Sequence, residues 1–325
     1  MLQGKDLIIA TKPFGKEKRL LSWYHASSTL VLLVGLLFAA ALAPLLIERI
    51  AASILAGFVF IRFFVIYHDY QHKAILQKSI FAKFVMYIYG LYSLAPGSIW
   101  KRSHDYHHKH NSKLFSASIG SYPIMTKQKF MNSSPKERKE YLATRHPLTI
   151  LFGFFSMFLI GMCVNSFRSS PRKHFDSLIA LIIHVGVAAL FVIYGGWMTW
   201  FLVWFLPFFI AFAIGAYLFY AQHNFPGVTF KDNTEWAYET AALASSSYLK
   251  MNWFMRWSTA NIGFHHVHHL NSRIPFYRLP EAMAALPELQ HPKETSFKPK
   301  DIIACFKLKV WDPQIQSMVG LDALS

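Results

Sequence analysis

Ten of the sixteen histidines in this 325-residue chain fall in three short stretches. The first is His68-Asp69-Tyr70-Gln71-His72; the second is His104-Asp105-Tyr106-His107-His108-Lys109-His110; the third is His265-His266-Val267-His268-His269. On a helix, positions i, i+3 and i+4 share one face. An HxxxH pair and two HxxHH triplets therefore each aim their imidazoles in one direction, and an isolated HxxxH would be only a polar helix surface. The spacing selects His68, His72, His104, His107, His108, His265, His268 and His269. His223 joins them on position alone, at the end of an apolar run, and its chemistry does not decide between ligand and bystander. His110 and His266 break the shared faces, which leaves them hydrogen-bonding behind the ligands or meeting solvent.

Imidazole suits zinc, copper, iron and nickel. One ion accepts at most about six ligands, so nine converging rings imply two ions. Structural zinc closes at four ligands, whereas imidazole with open positions suits iron that must bind oxygen. A zinc protease of the HExxH type is excluded because His68-Asp69-Tyr70-Gln71-His72 lacks the glutamate base. Asp69 and Asp105 either orient neighbouring imidazoles or face surface lysines, and the sequence leaves both open. His184, inside an apolar run, reads as a hydrogen-bonded packing residue rather than a haem ligand. His25, His146, His174 and His291 read as surface residues.

The elements that must carry these histidines are those of a membrane protein. The chain is 54% hydrophobic with 15% charged residues, and its mean hydropathy is +0.27, too apolar for an ordinary soluble domain. The net charge of +16 raises nucleic acid as a partner. The Lys and Arg residues lie between apolar runs, as cations beside an anionic leaflet do, and no nucleic-acid-binding motif accompanies them. No cleavable signal peptide is expected, because the first apolar run is long and a second follows almost at once. Cys163 and Cys305, far apart, offer no disulfide framework.

Apolar runs at about 30–47 and 50–67, interrupted only by Glu48 and Arg49, read as a first transmembrane hairpin. Runs at 178–194 and 197–220, separated by Gly195-Gly196, read as a second. The run at 80–99, broken by Lys83, Gly90, Pro96 and Gly97, is read as interfacial or re-entrant; the run at 147–164 is read as interfacial, since an even number of crossings must separate residues 110 and 223 if the histidines are to meet. The expected architecture is an all-α integral membrane protein of four spans, one domain over residues 1–325. A cytosolic helical cap is drawn from 68–146 and 221–325. His68 and His223 then sit where spans enter the cytosol. Trp253, Phe254, Trp257 and Phe264 read equally well as the lining of an apolar tunnel and as membrane contacts.

The three histidine boxes, in this order over paired spans, resemble the membrane fatty acid desaturase superfamily from about residue 50 onward. Finer features resemble its acyl-lipid delta-12 (omega-6) branch: Gln222-His223 ending the last span, Thr234-Glu235-Trp236, His269-Leu270, Ile274-Pro275-Phe276-Tyr277-Arg278-Leu279, and Leu308-Lys309-Val310-Trp311-Asp312. Gln71 departs from the small residue commoner in the first box. The resemblance implies a di-iron centre ligated by His68, His72, His104, His107, His108, His223, His265, His268 and His269, with O2 as co-substrate. It implies a fatty acyl lipid substrate and a ferredoxin-like or cytochrome b5-like electron donor, expected as a separate protein; the basic flanks of the first hairpin place the site on the cytosolic side, in what is expected to be a bacterial cytoplasmic membrane. Related di-iron oxygenases acting on carotenoids or alkanes share the boxes. A metal transporter or sensor is the reading from another class, but transporters carry polar groups at mid-bilayer depth whereas these clusters lie at span ends.

Overall fold

The computed structural model describes residues 2–114 and 122–324; part of the polar stretch 111–146 therefore lies outside the described residues. Three helical stretches are long and apolar enough to cross a membrane: Arg19–Leu42, Leu46–Gln71 and Phe175–Ala221. In chain order the helices are α1 (Gly4–Thr11), α2 (Arg19–Leu42), α3 (Leu46–Gln71), α4 (Ile80–Tyr92), α5 (Gly97–Lys109), α6 (Lys127–Asn132), α7 (Pro135–Thr144), α8 (Pro147–Leu151) and α9 (Asn165–Ser169). They continue with α10 (Phe175–Trp200), α11 (Leu206–Ala221), α12 (Tyr238–Ala244), α13 (Trp253–Ser258), α14 (His265–Leu270), α15 (Leu279–Ala285) and α16 (Pro299–Lys307).

α2 and α3 form an antiparallel pair, but the turn is not at Glu48-Arg49. α2 ends at Leu42 and α3 begins at Leu46, so the span expected at 30–47 shifts toward the N-terminus, while the one expected at 50–67 lengthens at both ends. Pro44 sits in the break, where its missing N–H and its ring bar a continuing helix. Glu48 instead closes the first turn of α3, accepting from the Leu45 amide at 3.4 Å. Arg49 donates back to the Ala40 carbonyl at 2.9 Å. Apolar content alone marked the lipophilic run; the proline placed its end.

The third stretch folds on itself. Gly196 has φ 72° and ψ 174°, a conformation open essentially to glycine. The His184 and Trp204 ring centroids are 4.3 Å apart, whereas an unbroken helix would separate those positions by roughly 30 Å. Phe175–Gly195 and the run up to Ala221 are thus two antiparallel arms, turning where the Gly195-Gly196 pair predicts. His184 Nδ1 lies 3.1 Å from the Tyr92 carbonyl, the packing role read from the sequence.

α3 is the axis of the helical layer. It is mostly buried, while α2 and the arms of the second hairpin expose much of their apolar surface, as lipid-facing helices do. α3 packs closely on α11: a Cβ on Gly57 would lie 2.8 Å from Ile210 Cβ and 3.1 Å from the Pro207 carbonyl. The segment 154–164 winds as a π-helix against α11, with Phe158 and Phe212 stacked at 4.1 Å. The fold is mostly but not wholly α. β1 (Tyr248–Lys250) pairs in parallel with β2 (Glu294–Ser296), and β3 (Val310–Asp312) pairs antiparallel with β4 (Ser317–Val319). These three-residue strands stitch loops too short to carry a pattern of period two.

Candidate metal centre

Four places in the fold deliver the histidines to one buried volume. His68 lies in the last turn of α3 and His72 caps it, after which Lys73 turns the chain with φ 59°. His104, His107 and His108 line one face of α5; His223 follows directly on α11; His265, His268 and His269 line α14. All nine rings are buried.

The nine sort into two groups. Ligand atoms of His68, His72, His104, His108 and His268 lie within 4.8 Å of one another, as do those of His107, His223, His265 and His269. The boxes are shared crosswise. The i,i+4 pair of α5 goes to the first group and its third ring to the second; α14 does the reverse. The first box completes one group and His223 the other. Across segments the Nε2 atoms approach closely: His68 to His104 at 2.8 Å, His108 to His268 at 3.1 Å, His107 to His269 at 3.2 Å and His223 to His265 at 2.9 Å. His68 Nε2 also lies 3.2 Å from His72 Nε2, and His104 Nε2 3.2 Å from His108 Nε2. Each Nε2 offers one proton or one lone pair, so hydrogen bonds among these rings cannot satisfy every approach. Atoms gathered around common points are the arrangement of ligands.

The electrostatics fit metal binding. Burial, reinforced by neighbouring imidazoles, holds His72, His104, His107, His108, His265, His268 and His269 well below the ordinary histidine value of 6.5. Burial lowers His223 to about 4, opposed in part by its bond to the Ser245 carbonyl. These eight rings are thereby held in the neutral form, the form that ligates.

Two rings are fixed from behind. His223 Nδ1 lies 3.0 Å from the Ser245 carbonyl oxygen and His68 Nδ1 3.2 Å from Asp69 Oδ1; protonated Nδ1 in each leaves Nε2 free to bind a metal. Asp69 is fully buried and also accepts from the Phe276 amide at 2.7 Å. Asp105 instead pairs with Lys101 at 2.5 Å, both partly exposed. The two aspartates that looked equivalent in sequence thus divide. Gln222 donates to the Ile262 carbonyl at 2.9 Å, tying the end of α11 to the approach of α14. The Tyr238 hydroxyl holds the His269 carbonyl at 2.6 Å.

The remaining histidines mostly stay outside. His266 is buried with Nε2 3.1 Å from the Leu289 carbonyl, turned away from both groups and not solvated. His110 stacks on Tyr106. His25 and His174 are not surface residues: His25 Nδ1 lies 3.2 Å from the Arg62 guanidinium, and buried His174 lies between Ser98 and Arg102.

A cavity of about 30 Å³ touches His68, His104 and His265. Its apolar wall comes from Ile61, Phe64 and Val65 of α3, Gly215, Leu218 and Phe219 of α11, and Ile262. None of Trp253, Phe254, Trp257 and Phe264 lines it. The signal was available in the spacing. Residues 61, 64, 65 and 68 stand at i, i+3, i+4 and i+7, as do 215, 218, 219 and 222, so each set shares the helix face that ends at the site.

Helices apolar enough for a membrane, converging on two all-histidine groups beside an apolar cavity, define a membrane protein built around a candidate two-metal centre. The chain belongs to the fatty acid desaturase family: the family model for fatty acid desaturases matches residues 49–299. It is 28% identical over 324 residues to a fatty acid desaturase of Bacillus subtilis, covering 98% of this chain and 91% of that one. It is 23% identical to the sn-1 oleoyl-lipid 12-desaturase of Anabaena variabilis, covering 88% and 82%. It is 25% identical to the chloroplastic omega-6 fatty acid desaturase of Spinacia oleracea, covering 70% of this chain and 50% of that one. The chain is an oxidoreductase, a membrane fatty acid desaturase, and its boxes are the histidine boxes of that family.

Proposed function

We propose that this protein is an O2-dependent acyl desaturase that places a cis double bond in a long acyl chain carried by a membrane lipid. Two iron ions would be held by the two histidine groups, His68, His72, His104, His108 and His268 in one, His107, His223, His265 and His269 in the other. The crosswise sharing of the second and third boxes between the groups carries the reading, because it makes two ion sites from one set of helices. The names of the acyl-lipid relatives support the substrate class.

With O2, two electrons and two protons, such a centre would supply the oxidising power to remove two hydrogens from adjacent methylenes, releasing two waters. The chain's own residues do the rest. The faces of α3 and α11 that end at His68 and Gln222, with Phe64, Leu218 and Phe219 on them, guide methylenes toward the rings. Their apolar surface excludes water from the reacting carbons. Asp69 and the Ser245 carbonyl hold His68 and His223 in the tautomer that ligates.

In this reading the two hairpins cross four times and the chain is one domain, with the residues after α3 and after α11 forming a cytosolic cap. A reporter fused near residue 170 should then stay cytosolic, and its appearance outside would overturn the topology. The electron donor is a separate ferredoxin-like or cytochrome b5-like protein, and the membrane a bacterial cytoplasmic one. Expression in a host of saturated or monounsaturated lipids, with fatty-acid methyl esters analysed by mass spectrometry, should reveal a new double bond in lipid-bound chains. Hydroxylated or ketolated products without new unsaturation would refute the reading.

A further inference from the structure

A second opening, an open groove of about 430 Å³, lies on the other side of the same wall. Ile61 faces the cavity at the histidines and Arg62 faces the groove; Ile262 and Asn261 divide in the same way. The groove carries two arginines. Arg62 is 4% exposed. It donates to Thr29 Oγ1 at 3.2 Å and to the Trp257 carbonyl, and lies 3.2 Å from His25 Nδ1. Its guanidinium also sits 4.5 Å over the Trp257 ring. Every one of these partners is neutral. Among the described residues no carboxylate pairs with Arg62 or with Arg256, and none lines the groove. A buried cation without a counter-charge is costly, so the groove is built for an anion.

Its height in the fold says which anion. Arg62 is bonded to Thr29 and His25, in the polar first part of α2, just before the apolar run that starts at Leu30. That is the level at which helices leave hydrocarbon for headgroups. Tryptophans favour the same depth, and on neighbouring α13 Trp253 stands 79% exposed.

We propose that Arg62 and Arg256, in the groove that Trp257 and Tyr277 help to wall, bind the phosphate of a diacyl phospholipid and so position its acyl chain for the adjoining cavity. The proposal rests on the reading of the protein as an acyl-lipid desaturase. Arg62 is the inner donor and Arg256, exposed on the rim, the outer one. Bidentate guanidinium geometry matches phosphate oxygens.

The test is lipid binding by the full-length protein in neutral detergent, cleared of lipid and followed by native mass spectrometry. Phosphatidylglycerol should bind once per chain and about tenfold or more tighter than diacylglycerol with the same acyl chains, the scale of a charge-assisted hydrogen bond. Arg256→Gln should remove most of that preference and Arg256→Lys should keep much of it. Because Arg256 makes none of Arg62's internal bonds, a purely structural role for Arg62 predicts no change in either variant. Equal binding of the two lipids, or a preference untouched by Arg256→Gln, would overturn the proposal. Displacement of the lipid by micromolar inorganic phosphate would mark a free-anion site and overturn it too. Binding needs neither iron nor electron donor, so selective binding without desaturation would sink the enzymatic reading alone, and desaturation without headgroup preference would sink the site alone.

Discussion

One carboxylate joins two distant parts of the chain at the metal centre: Asp69 Oδ1 lies 3.2 Å from His68 Nδ1 while its Oδ2 accepts the Phe276 amide at 2.7 Å. The Ile274–Leu279 stretch after the last box is thereby fastened to the first box. Asp69→Asn keeps an oxygen for one of these bonds and loses the charge behind the His68 ring. Metal affinity should fall by about 10–100-fold, the usual cost of losing a group that orients a ligand. Asp105→Asn, which removes only a partly exposed pair with Lys101, should leave it unchanged. Iron retained per chain against graded chelator separates the two.

Acid should weaken the site from two directions with the same sign. His223 is lowered to about 4 and the rings of α5 and α14 lie well below 6.5, through burial. The unfolded chain therefore takes up more protons than the folded one once pH drops below 6.5. Stability is fully present above that value and is lost as pH falls toward and through about 4; nothing is gained on the alkaline side. Metal binding needs the same neutral rings. Thermal midpoints and metal release followed from pH 8 to pH 4.5 should be flat at first, then fall together below 6.5. A profile flat across the whole range would contradict the burial of these rings.

The turn of the second hairpin depends on one residue. Gly196→Ala forces a Cβ into φ 72°, ψ 174° and should cost about 1–3 kcal/mol, seen as a lower thermal midpoint of the purified protein. Gly186, a helical glycine whose added Cβ would meet nothing within 4 Å, is the control. Gly186→Ala should be neutral or slightly stabilising, since alanine is the better helix former.

These contrasts show what could be read from the chain. His68, His72 and the two HxxHH triplets were legible because helical spacing makes the rings of each box share a face, and His223, placed only by its position at the end of an apolar run, joins them in space. How they divide was hidden, since it depends on which rings of α5 and α14 meet across space, His108 with His268 and His107 with His269. Gly195-Gly196 marked a turn correctly because its conformation is local. The first turn was misplaced because apolar runs were weighed and Pro44 was not. The aromatics before the third box read equally well as tunnel lining and as membrane contacts; the cavity at the histidines is walled instead by the faces of α3 and α11 below His68 and Gln222. The fate of Asp69 against Asp105 could not be seen at all: it depends on Phe276, more than two hundred residues away.

The most direct test is the metal content of the full-length protein, purified and measured by elemental analysis, beside two variants chosen from different groups. About two irons per wild-type chain are expected. His268→Ala and His265→Ala should each retain about one, and the double variant close to none, with desaturation abolished in all three. A wild-type chain carrying one ion, or zinc in place of iron, would contradict the two-iron centre, as would an iron content that His265→Ala leaves unchanged.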